Sequence, residues 1–162
     1  MVKGPTQFAR ELGDLLERQL ADAISLSQVL EDELEALTKA DADGIARITD
    51  HKNQLMLALD QLGREQTDLL ASIRASADTS SRSAILAWCS PDGALAAQWD
   101  EVTERLSECN QKNQRNGLLV QKRLTHVRRA LNILDNAQPE AGEYGPDGAT
   151  ERGASSRFLA QG

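Results

Sequence analysis

Proline is scarce in this 162-residue chain: Pro5, Pro91, Pro139 and Pro146 are its only copies. Two long stretches, 6–90 and 92–138, therefore contain no residue that breaks a helix outright. Aromatics are equally few, with Phe8, Trp88, Trp99, Tyr144 and Phe158 making the whole set. Val, Ile and Thr together give 19 residues, against 23 Leu and 22 Ala. Strand formers are thus rare and helix formers dominate, which argues against a sheet-based fold. The two cysteines, Cys89 and Cys109, are too few for a disulfide framework and suit a reducing compartment. No apolar run approaches the roughly 20 residues of a membrane span, and no apolar signal segment opens the sequence. The expectation is a cytoplasmic, all-helical protein that is not inserted in a membrane.

The usual chemistry of enzymes and metal sites is also missing. There is no HExxH, CxxC, GxGxxG or GxxxxGK[ST] pattern, and His51 and His126 fall on different helices. His51 reads as solvated and His126 as part of a basic surface. Ser80, Ser81 and Ser83 have no partner base, and Cys109 lies in an apolar seam, where packing outweighs reactivity. The acids Glu31, Asp32, Glu33 and Glu35 cover more than one helix face, as solvated charge does. No catalytic residue, metal ligand or cofactor is expected, and the chain reads as a non-enzyme.

What the sequence does have is heptads. A first repeat runs Leu16, Leu20, Ala23, Ser27, Leu30, Leu34, Leu37, predicting a helix over 6–38. Thr38 to Gly44 reads as a polar connection, with Asp41 or Asp43 available as an N-cap. A second repeat, Ile48, Lys52, Leu55, Leu59, Leu62, Gln66, Leu69, Ile73, predicts a helix over 45–77. So short a connection makes the pair antiparallel. Residues 84–89 form a short apolar plug, and Ser90-Pro91-Asp92 reads as a helix start. The third repeat runs Leu95, Trp99, Val102, Leu106, Cys109, Asn113, Asn116, Val120 within a helix predicted over 91–136. It then slips by one residue, a stutter, and continues Leu124, Val127, Leu131, Leu134. The two Asn positions fit a device that fixes helix register and equally fit amides bonded across a filled core.

The net charge of −7 hides a basic block: Lys112, Arg115, Lys122, Arg123, Arg128 and Arg129 fall in a stretch, 109–134, with no acid. Such a block is compatible with a nucleic-acid or membrane face, and with cations that meet acidic neighbouring helices. Acidic total charge and the lack of stacking aromatics count against nucleic acid as a partner. A bundle domain over 1–136 is expected to give way to a flexible tail over 137–162, which holds five of the eleven glycines and no apolar periodicity.

Helix lengths do not match. The third helix would span about 69 Å against about 50 Å for each of the others. Leu124, Val127, Leu131 and Leu134 would then overhang the hairpin as an exposed apolar stripe, the usual mark of a binding site. A bend in the helix, or the 84–89 plug lying over the stripe, are the alternatives. With Val120 and Arg128 these positions form the candidate partner-binding surface, suited to an amphipathic partner helix. The same heptads are compatible with a scaffold that pairs with a second copy of itself and carries no cargo.

The run Cys109-Asn110-Gln111-Lys112-Asn113-Gln114-Arg115-Asn116-Gly117-Leu118-Leu119, the basic helix end and the later Tyr144-Gly145-Pro146-Asp147-Gly148 resemble the FlgN family of flagellar export chaperones. The resemblance implies a cytoplasmic chaperone for hook-associated junction proteins of the FlgK and FlgL type. It would hold their terminal helices back from premature assembly and deliver them to the membrane protein of the flagellar type III export gate. By the same resemblance the tail takes part in cargo capture and gate docking, roles that fall on Phe158 and Leu159 and on Tyr144.

Overall fold

The structure, a computed structural model, describes residues 3–137, with four helices and no strand among them. They are α1 (Pro5–Lys39), α2 (Ala42–Ala77), α3 (Arg82–Cys89) and α4 (Ala94–Ala137). Pro5 stands at the start of α1, where its missing N–H costs nothing. At the other end Ala40 turns left-handed (φ 57°), and the Asp41 N–H closes onto the Ala36 carbonyl at 3.1 Å. Asp41 then caps α2 by accepting from the Gly44 N–H at 3.0 Å. A Cβ at Gly44 would fall against that carboxylate, so a larger residue there would require the Asp41 side chain to shift. The connection is only Ala40-Asp41, shorter than the Thr38–Gly44 segment expected, because both helices extend into it.

Cross-helix pairs set the directions. Arg18 with Glu65, Gln19 with Gln66 and Glu33 with Lys52 run in opposite order along α1 and α2, so these helices are antiparallel. Cys109, Lys112, Asn116 and Arg123 meet Ala23, Ser27, Leu30 and Thr38 in the same order, so α4 runs parallel to α1. Packed on both sides, α1 buries a second set of residues beside its heptad, among them Leu12, Leu15, Gln19, Leu26 and Glu33. A single seven-residue repeat cannot reveal a helix with two partners.

The main apolar cluster gathers Phe8, Leu12 and Leu16 of α1, Ile73 of α2, Ile85, Leu86 and Cys89 of α3, and Leu95 and Val102 of α4. The plug is thus a short helix, capped by Ser81, whose side chain accepts from the Ala84 N–H. Its apolar residues belong to this cluster. A smaller cluster follows along the helices, with Leu26, Leu30 and Cys109 flanked by Leu55 and Leu59. The expected start of the third helix at Pro91 is corrected: Ser90-Pro91-Asp92 forms a turn that ends at Gly93, in the left-handed region (φ 80°). Ser90 still contributes by accepting from the Leu95 N–H, and Asp92 accepts from the Ala94 N–H, so the cap exists and the helix begins after it. Two compact units divide within α4, between Arg123 and Leu124. The first holds the three-helix packing and α3.

Candidate partner-binding site

Of the residues singled out for binding, Val120 and Arg128 are exposed, and so are Leu124, Val127, Leu131 and Leu134 at 50%, 56%, 53% and 63%. Ile133, which no repeat marked, stands at 67%. The steps of three and four residues from Leu124 through Val127 and Leu131 to Leu134 line these four up as one stripe along the helix, and Ile133 falls on a different face. The plug does not lie over the stripe, because α3 spends its apolar face in the main cluster, and α4 continues as one helix to Ala137. Tyr144, Phe158 and Leu159 lie outside the described residues.

Within the first unit the amide-rich run Cys109–Leu119 divides by helix face. One face docks on α1. The Cys109 thiol donates to the Ala23 carbonyl at 3.2 Å, and burial pushes it toward higher pKa, away from the reactive thiolate. Lys112 Nζ donates to Ser27 Oγ at 2.8 Å and pairs with Glu31 at 3.0 Å, and Arg115 reaches the other Glu31 oxygen at 3.2 Å. These partners, Lys112 first, hold the Glu31 carboxyl below its usual range. Arg123 donates to the Thr38 carbonyl at 3.1 Å, placing a cation on the negative end of α1. Three of the six bases in the block are therefore spent on the neighbouring helix.

Asn116 is the centre of this face, at 1% exposure. Its amide donates to the Leu30 carbonyl at 2.7 Å and to Glu33 Oε2 at 2.8 Å. Glu33 Oε1 accepts from Lys52 Nζ of α2 at 2.6 Å. The two charged side chains retain only 7% and 16% of their exposure. One carboxylate thus ties α1 to both of its partners. Glu33 corrects the sequence reading of the acidic run as solvated charge: Asp32 and Glu35 are exposed, while Glu33 is core. Lys52, a cation in an apolar repeat, was the available signal, since a buried lysine requires a buried acid.

The other face, with Asn110 and Asn113, lines a cleft of about 220 Å³ floored by Leu26 and Leu30 and walled by Met56, Leu59 and Leu106. Among the described residues no group of three or more His, Cys, Asp or Glu is placed to hold a metal ion, and no helix is long and apolar enough to cross a membrane.

Long helices locked by a buried polar node, with an apolar stripe left bare on α4, define an all-α bundle protein. The chain belongs to the FlgN family, whose model, described as FlgN protein, matches residues 7–152. It is similar to the flagella synthesis protein FlgN of Salmonella typhimurium, at 27% identity over 141 residues covering 86% of this chain and 89% of that one. The protein of the same name from Yersinia enterocolitica is 32% identical over 142 residues, covering 86% and 88%. No solved structure matches.

Proposed function

We propose that this chain is a cytoplasmic export chaperone of flagellar assembly that captures terminal helices of hook-associated junction proteins, of the FlgK and FlgL type, and delivers them to the export gate. The bare stripe Leu124, Val127, Leu131 and Leu134 carries this reading. Such a row costs solubility unless a partner covers it, and its helical spacing suits the apolar face of another helix. Val120 and Arg128 flank the stripe, and the cations would favour acidic partner segments and speed encounter. Family membership supports the flagellar role.

The tail is assigned by resemblance: Phe158 and Leu159 add to cargo affinity, and Tyr144 docks at the membrane protein of the gate. Deleting 150–162 should then weaken cargo binding by about tenfold or less. Tyr144→Ala should leave cargo affinity and melting temperature unchanged and impair export. A lowered melting temperature for that variant would mean that the ring packs on the protein's own surface. The direct test is titration of the chain with a purified terminal segment of a junction protein, alongside light scattering of the free chain. Saturable one-to-one binding supports the chaperone reading. A stable homodimer that ignores every cargo segment would favour the self-pairing scaffold.

A further inference from the structure

We infer that α4 beyond Cys109 is a salt-releasable strap, able to leave the α1–α2 hairpin while residues 95–109 stay docked. The two parts of the helix are held by different forces. Leu95, Val102 and Cys109 are buried in the clusters, with Trp99 and Leu106 packed against them. Between 110 and 123 the single buried side chain is Asn116, and Leu119 is the only hydrophobe even half-buried. What fastens this segment is polar: Lys112 and Arg115 share the Glu31 carboxylate, Asn116 reaches Leu30 and Glu33, and Arg123 reaches the Thr38 carbonyl. Glu31 remains 40% exposed, so its two ion pairs are open to screening by salt.

Release also strands no charge. Glu33 Oε1 stays paired with Lys52 when Asn116 departs, and Oε2 exchanges an amide for water. The Leu30 and Thr38 carbonyls belong to α1, and water can replace the side chains they lose. Detaching α2 instead would separate Lys52 from Glu33 in the core, which is far costlier. The asymmetry makes α4, rather than α2, the element that opens. Opening enlarges the cleft beside Asn113 and uncovers Leu26 and Leu30.

Amide hydrogen exchange on the full chain, with no partner present, tests this. Between about 0.02 M and about 0.5 M NaCl the screening length falls from roughly 20 Å to roughly 4 Å. Exchange of 112–123 should rise roughly three- to tenfold over that range, the combined worth of two exposed ion pairs, while 95–106 stays constant. Glu31→Gln should raise exchange of 112–123 at low salt and abolish most of the salt response, with the hairpin unaffected. Arg115→Gln should give a smaller change in the same direction. Equal salt responses of 95–106 and 112–123 would show α4 docking as one piece and overturn the proposal. So would a salt-insensitive 112–123, or a Glu31→Gln variant that behaves as wild type.

Discussion

Glu33 divides its carboxylate oxygens between two helices, Oε1 toward Lys52 and Oε2 toward Asn116, and this division makes single substitutions at Glu33 and Asn116 unequal. Glu33→Ala leaves Lys52 buried without a counter-charge and should cost about 3–5 kcal/mol. Asn116→Ala leaves Glu33 its lysine and should cost about 1–3 kcal/mol. Urea unfolding measures both, and an Asn116 loss equal to that of Glu33 would contradict the ranking. Replacing all three by apolar residues should leave stability similar or higher and blur the register of α4, visible as multiple amide NMR signals. Glu31 offers a pH test. Its folded-state pKa is depressed, mainly by Lys112, so its contribution is fully present above the ordinary carboxyl value of 4.5 and is lost as pH falls through the lowered folded value. Glu31→Gln should therefore lose melting temperature at neutral pH and show a shallower acid decline than wild type.

At the scale of elements, the heptads made the long helices and their antiparallel pairing legible, since each repeat runs between recognisable breaks. The stutter at Leu124 likewise falls where the compact units divide. Other features were hidden for identifiable reasons. The second buried set on α1 depends on its having two partners, and Glu33 lies off the single stripe that the repeat defined. Gly93 moved the start of α4, because a left-handed turn lets Ser90 and Asp92 cap from outside the helix. The candidate stripe was readable from the slipped repeat taken together with the helix lengths, and the anchoring of the basic block to Glu31 and Thr38 was not. Two helical glycines give an independent test of element stability. A methyl group added at Gly63 or Gly117 would meet nothing within 4 Å. Alanine at either position should therefore stabilise by about 0.5–1 kcal/mol, read from denaturant midpoints. A loss at Gly117 would mean that the helix face there is not open.

At the scale of the whole molecule, buried scaffold residues and exposed candidate binding residues respond differently to substitution. Leu62 is buried, and Leu55 and Leu59 pack on the second cluster, so serine at all three should destabilise the bundle by several kcal/mol. Leu124, Val127 and Leu131 are exposed, so serine there removes no core contact and should leave the melting transition near that of wild type. The measurement that bears most directly on the central claim sets the Leu124→Ser, Val127→Ser, Leu131→Ser triple variant against wild type in calorimetric titration with a junction-protein terminal helix, each protein first melted by circular dichroism. Matching melts are expected, with binding weakened by at least about a hundredfold, as when three apolar anchors at the centre of an interface are lost. A variant that melts early, or one that melts normally and binds as wild type does, would contradict that claim.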